Sequence, residues 1–256
     1  MKKTKPIVSI IMNCHNGQKY IRESLSSIQK QTFNNWETIF FDNQSNDNSL
    51  EIANSFKEDK RIKIFKSIKK MPLYEARNEA IKKTRGIYIA FLDTDDFWLP
   101  KKLELQLECI KKKKCEIIFS NFYVKRNKKK FLRLNKNILE VKTQGILNDY
   151  YLGILTGLIN KKFFKKGFNR RYNFIGDFDF FLKLSLKHKI CFINRPLATY
   201  RLHNDNLSIK NKTAYINELQ NWLSKNEKKM NKLGLSLIMQ KKNLIKLRIR
   251  NFFNLR

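Results

Sequence analysis

Gly86-Ile87-Tyr88-Ile89-Ala90-Phe91-Leu92 runs straight into Asp93-Thr94-Asp95-Asp96, and this junction decides the fold. Seven uncharged residues, mostly apolar, read as a strand buried on both faces, the kind found in the centre of a parallel sheet. The abrupt change to a cluster of carboxylates marks the strand's carboxyl end. Outward from this junction, strand and helix signals alternate. Ile7 to Met12 is a short β-branched run ended by a turn at Asn13 to Gly17, after which Ile21, Leu25 and Ile28 recur at helical spacing. Trp36 to Phe41 is a second strand, closed by the polar cluster Asp42-Asn43-Gln44-Ser45-Asn46-Asp47. Asn48 and Glu51 are spaced as an N-cap and its partner for a helix through Phe56. Ile62 to Phe65 is a third strand, and Leu73, Ala76 and Ala80 share one face of the next helix. Downstream, Pro100 suits the first turn of a helix that has Leu103, Leu107 and Ile110 on its apolar face, and Ile117 to Phe122 closes the series.

This alternation predicts an α/β fold with a mainly parallel central sheet flanked by helices. Open sheets of that kind bind ligands beyond the carboxyl ends of their strands. Asp42 and the Asp93 to Asp96 cluster therefore gather at one rim, where carboxylates repel one another unless a cation lies between them. An Asp-x-Asp triplet on such a turn offers two carboxylates to a divalent cation whose other ligands come from a nucleotide diphosphate and water. An isolated triplet would serve equally to cap the following helix. The position after a central strand, ahead of Phe97-Trp98-Leu99-Pro100, favours the site.

Composition narrows the class. With 54 Lys and Arg against 22 Asp and Glu, the 256-residue chain carries +32, while 42% hydrophobic residues exclude a disordered polymer. The lysines are spread along the chain instead of clustering with aromatics on one element, so no nucleic-acid partner is expected. Cys14, Cys109, Cys115 and Cys191 show neither a CxxC pair nor zinc-like spacing with the three histidines, which predicts four reduced thiols in a cytoplasmic protein. Met1 to Pro6 leads into a strand and not a signal peptide, and no run approaches the ~18 apolar residues of a membrane span. Neither a P-loop nor a G-x-G-x-x-G motif is present, which argues against P-loop enzymes and dinucleotide dehydrogenases. A nucleotidyltransferase shares the sheet and the acidic ligands, but it would carry a Gly- and Arg-rich loop where this chain has Asn13 to Gly17.

Several segments, taken in order, resemble family-2 inverting glycosyltransferases of the GT-A fold. These are Val8-Ser9-Ile10-Ile11-Met12-Asn13-Cys14-His15-Asn16-Gly17, Ser27-Ile28-Gln29-Lys30-Gln31-Thr32-Phe33, the strand ending Phe41-Asp42-Asn43-Gln44-Ser45, Glu75-Ala76-Arg77-Asn78 and Tyr88 to Asp96. Gly176-Asp177-Phe178-Asp179 stands where that family has its Glu-Asp base motif, and Tyr200-Arg201-Leu202-His203 with Asn206 and Ser208 closes the match. Two departures stand out: Asp42-Asn43-Gln44-Ser45 replaces the usual Asp-Asp-Gly-Ser, and Gly176 replaces the Glu. The resemblance implies transfer of a sugar from a nucleotide-sugar donor, with uridine as the default, to a saccharide or lipid-linked acceptor. It implies donor contacts from Asn13, His15, Asn16, Asp42, Arg77, Asp93 and Thr94. A Mn²⁺ or Mg²⁺ ion is implied at Asp93, Asp95 and His203, and Asp177 as the general base. An Asp at the start of a helix also serves as an N-cap, which is the competing role for Asp177.

Residues 1–210 are thus expected to form the GT-A-like catalytic unit and residues 211–256 a basic amphipathic helical tail, weakly coupled to it. Between them, Val124 to Leu134 reads as a basic hairpin with Lys128, Lys129 and Lys130 at its tip. Apolar residues from Trp222 to Phe253 among many Lys and Arg form the pattern of a helix lying on an anionic membrane surface, here the cytoplasmic face. On that reading a chain cut near Asn211 stays folded. If the same residues pack on the α/β unit, it does not.

Overall fold

The computed structural model describes residues 5–253, so the outermost residues of the two expected units, 1–4 and 254–256, lie outside the described residues. The first half forms as the alternation predicts: β1 (Val8–Cys14), α1 (Ile21–Gln29), β2 (Trp36–Asp42), α2 (Ser49–Asn54), β3 (Ile62–Lys66), α3 (Leu73–Lys82) and β4 (Tyr88–Phe91). These strands lie in the order β3-β2-β1-β4, all parallel. Side-chain alternation along each strand divides the core between the two faces. Ile11, Ile39, Phe41, Ile89 and Phe91 point to one side, and Val8, Ile10, Met12, Phe40 and Ala90 to the other.

Beyond β4 the sheet becomes mixed. The elements here are β5 (Phe97–Trp98), α4 (Lys102–Lys113), β6 (Ile117–Arg126), β7 (Lys129–Leu132), α5 (Thr143–Asn148), β8 (Leu158–Asn160), α6 (Gly176–Ser185) and β9 (Cys191–Leu202). β8 inserts antiparallel between β4 and β6, β9 runs parallel to β6, β5 pairs antiparallel at the far edge, and β7 folds back on β6 as the expected hairpin. Apolar runs report that strands exist but not which neighbour each selects.

Three local expectations are corrected. Asn48 precedes α2 without a side-chain cap bond, and it is Asp47 Oδ1 that accepts the Ser49 N–H at 3.0 Å. Cys115 and Cys191 are joined as a disulfide, not reduced, because the parallel register that sets Ile118 opposite Cys191 brings the two Cα atoms to 6.4 Å. Cys14 and Cys109 remain free.

The third correction concerns the coupling of the tail. After α7 (Leu207–Lys210), α8 (Lys212–Lys232) and α9 (Ile238–Phe252) pack on the α/β unit. Ile216, Leu219, Trp222, Leu223, Met230, Leu237 and Leu244 are buried in the same cluster as Leu147, Phe178 and Phe181. Glu218 of α8 accepts the backbone N–H groups of Asn173, Phe174 and Ile175 at 2.7–2.8 Å. These groups lie at the entry to α6, whose N-cap, Ile175, has no side chain able to bind them.

Candidate active site

The carboxyl ends of β1, β2 and β4 meet at one rim, and backbone bonds fix their spacing. Leu92 N–H donates to Ile11 O at 3.0 Å and Asn43 N–H to Cys14 O at 2.7 Å. Gly17 lets the first loop close on the acidic turn, since a Cβ there would lie 2.7 Å from Thr94 Oγ1. Ser24 Oγ, from α1, donates to Thr94 O at 2.7 Å and holds the turn from the other side.

Within that turn the three aspartates have different partners. Asp93, about a third exposed, receives both its bonds from one nitrogen of Arg77, at 2.7 and 3.0 Å. Arg77 is 3% exposed. Burial works against its charge, but Asp93, Tyr74 and Asp177 outweigh that and hold the guanidinium protonated, well above its ordinary value. Asp95 Oδ2 lies 2.9 Å from His203 Nε2 and accepts from Asn206 Nδ2 at 3.1 Å. His203 Nδ1 accepts the Asp205 N–H at 3.2 Å, so Nε2 carries the proton directed at Asp95. Asp96 is buried and accepts the Arg201 N–H at 2.8 Å. Burial, then the charges of Asp95 and Asp93, push its carboxyl well above the usual range.

The other rim residues singled out in the sequence lie around this turn. Both polar atoms of the Asn13 amide, at the end of β1, are buried without a protein hydrogen-bond partner among the described residues. Such an orphan is costly unless a ligand completes it. His15 is exposed, with Nδ1 3.1 Å from Asn43 O. Asn16 takes the left-handed conformation at φ 57° that Asn tolerates, and its Oδ1 accepts the Asn46 N–H at 3.0 Å. Asp42 is fully buried and turned into its own loop, accepting the Ser45 N–H at 3.2 Å.

Asp177 stands in the first turn of α6 and does not cap it. Its carboxylate accepts from the Tyr74 hydroxyl at 2.8 Å and the Tyr150 hydroxyl at 2.9 Å. Burial first, then the Asp177 charge, raises both phenols well above their ordinary range, so both remain donors. Two of the carboxylate's roughly four lone-pair positions stay free on a half-buried side chain. Asp179 differs: it is buried, accepting from Trp222 Nε1 at 2.9 Å and Lys183 Nζ at 2.6 Å. The departure at Gly176 has a steric reason, because a Cβ there would lie 2.7 Å from the Tyr74 ring. Tyr74 and Arg77, one turn apart on α3, thus face Asp177 and Asp93 respectively.

Sequence reasoning overlooked Tyr74, Tyr150 and Arg201 as parts of this arrangement. Arg201 and Asn206 fall in the closing motif, which was the available signal, whereas nothing local marks the tyrosines. Among the described residues no three His, Cys, Asp or Glu side chains converge as a closed metal cage. Asp93 is turned onto Arg77, so the turn presents the Asp95–His203 pair, one oxygen and one nitrogen of the kind a Mn²⁺-type ion takes when substrate and water supply its other ligands.

Fold and rim together define an α/β protein of the class whose ligands bind beyond the carboxyl ends of the parallel strands. The profile of Glycosyl transferase family 2 matches residues 9–195. The chain belongs to this family and is a glycosyltransferase of the GT-A fold. It is 32% identical over 209 residues to the UDP-Glc:alpha-D-GlcNAc-diphosphoundecaprenol beta-1,3-glucosyltransferase WfgD of Escherichia coli, covering 79% of each chain. With the putative teichuronic acid biosynthesis glycosyltransferase TuaG of Bacillus subtilis it shares 30% over 216 residues, 81% of this chain and 84% of the other. Among solved structures, residues 1–349 of S. aureus TarS in complex with UDP superpose with a TM-score of 0.69 at 20% identity, over 83% of this chain and 63% of that one. The mannosyltransferase PcManGT from Pyrobaculum calidifontis, in complex with GDP-Man and Mn2+, superposes with a TM-score of 0.63 at 13% identity, over 89% and 65%.

Proposed function

We propose that this glycosyltransferase transfers a sugar, with inversion, from a UDP-sugar to a hydroxyl of a lipid-linked saccharide, with a divalent cation bound at Asp93, Asp95 and His203. The observation that carries the reading is the convergence of the unpartnered Asn13 amide, the Arg77–Asp93 pair and the Asp95–His203 pair on one rim. WfgD, by its name, takes UDP-Glc and a diphosphoundecaprenol-linked sugar, TarS was solved with UDP, and PcManGT with Mn2+, which supports each component by analogy. The rim residues Asn13, His15, Asn16, Asp42 and Thr94 line the side where the nucleotide would lie. A divalent cation, when bound, neutralises charge developing on the leaving diphosphate, so that no proton need be delivered there. Asp93 is held by Arg77; Asp95 would supply an oxygen ligand and His203 a nitrogen ligand, the ring proton then residing on Nδ1 in place of the Asp205 N–H contact.

Asp177, half-buried with two lone-pair positions free, is our candidate for the base that takes the acceptor proton on the opposite face of the sugar, and those free positions support the reading. Tyr74 and Tyr150 fix its rotamer, and Asp179, committed to Trp222 and Lys183, is not available for that role. Calorimetry with UDP and Mn²⁺ tests the donor side: Asp95→Ala should abolish metal-dependent binding in a protein that still unfolds cooperatively. Unchanged affinity in that variant would remove the assignment.

A further inference from the structure

Helix α9 has two apolar faces. At ~100° per residue, Gln240, Leu244 and Leu247 fall on one side of the helix and pack inward, Gln240 Nε2 donating to Leu147 O at 3.0 Å. Roughly opposite, Ile238, Ile245, Ile249 and Phe252 form a second stripe about 60° wide. These four are 60%, 56%, 50% and 82% exposed, and Phe253 follows at 62%. A stripe this apolar on the solvent side of a docked helix has no structural role within the chain.

Its surroundings say what covers it. α9 contains no acidic residue; Lys242 and Lys246 flank the stripe on one side, with Arg250 further round the helix, and none of the three has an ion-pair partner among the described residues. Lys241 and Arg248, on the other border, are held by Glu227 and Gln220 of α8. We propose that this outer face of α9 docks on an anionic lipid bilayer, with the Ile and Phe side chains in the headgroup–acyl boundary and the free cations on lipid phosphates. A second copy of this chain would bring two like-charged faces together on a molecule of +32. Nucleic acid would leave the apolar stripe in water. Among the described residues no helix is long and apolar enough to cross a membrane, so the contact is peripheral.

Sedimentation of the full chain with phosphatidylcholine vesicles, with and without phosphatidylglycerol, tests this. The chain should bind the anionic vesicles and, at moderate salt, leave the neutral ones. Ile245→Gln/Ile249→Gln/Phe252→Gln alters only exposed side chains, so its urea midpoint should match wild type while vesicle affinity falls at least about tenfold. Lys242→Gln/Lys246→Gln/Arg250→Gln should lose the preference for anionic lipid. If the triple apolar variant folds poorly, Phe252→Ser alone serves, with a smaller loss. Failure of the wild type to bind anionic vesicles overturns the proposal. So does vesicle binding by the apolar variants at wild-type strength, or a switch from dimer to monomer in light scattering with vesicle binding unchanged.

Discussion

Trp222→Ala removes the side chain that ties α8 to the helix carrying Asp177. The indole is 1% exposed, meets the Phe178 ring edge-on with centroids 4.9 Å apart, and donates its N–H to Asp179 Oδ1 at 2.9 Å. Truncating a buried aromatic residue costs about 3–5 kcal/mol. Leaving a buried carboxylate oxygen without its donor adds about 1–3 kcal/mol. The sum, about 4–8 kcal/mol, is a large share of the ~5–15 kcal/mol by which a domain is stable. Trp222→Phe keeps most of the apolar contact and loses the charged hydrogen bond, for about 1.5–3 kcal/mol. Urea unfolding followed by far-UV circular dichroism gives both numbers from the midpoints, provided the slope is unchanged. A loss below about 0.5 kcal/mol for the alanine variant, the ordinary range for a surface position, would refute the packing argument. Cutting the chain after Asn211 is the extreme case. It strips seven buried apolar side chains, worth about 10–20 kcal/mol together before chain entropy is counted, so the truncated protein should aggregate, contrary to the interfacial-tail expectation.

Three further outcomes are expected. Asp177→Asn should lower turnover by about 10²-fold with donor affinity retained, whereas Asp179→Asn should lower the urea midpoint and leave turnover per folded molecule much less changed. Glu37 is opposed by burial, but hydrogen bonds from Lys63, Ser9 and the Arg85 N–H outweigh that and lower its carboxyl below the ordinary value. Its stabilisation is therefore complete above the unfolded pKa of about 4.3 and lost as pH falls through the lower folded value, so the stability gap between wild type and Glu37→Gln should close on acidification. Lys102 is fully buried, and burial holds its amine well below the usual lysine value. The unfolded chain then binds the extra proton in the window below about 10.4, so stability should rise with pH there, and Lys102→Met should flatten that rise in urea titrations taken between neutral and alkaline pH.

Much of the rim of the candidate site was legible because it is local. Strand periodicity places Asn13, Asp42 and Asp93 at strand ends, and parallel crossovers bring the ends to one rim, so a one-dimensional pattern carries three-dimensional information. The pairing of Arg77 with Asp93 was not legible, because it joins α3 to the turn after β4 and only the packing of the helix on the sheet brings the two together. The surroundings of Asp177 were less legible. Asp177 and Asp179 are two residues apart in an acidic stretch, and only the position of Trp222 commits one of them to structure and leaves the other half-exposed.

By itself, the sequence determined the alternation of strands and helices, the acidic turn after the central strand and the family to which they belong, because these depend on burial periodicity and on short motifs. The tertiary structure alone decided which distant group completes each buried polar one. Glu218 caps α6 from 42 residues beyond Gly176, Tyr74 fills the space a larger residue at Gly176 would need, and Cys115 meets Cys191 through the register of β6 with β9. The physical reason is that a buried donor or acceptor must be satisfied, but any suitable partner will do, and the packing of the whole chain selects which one arrives.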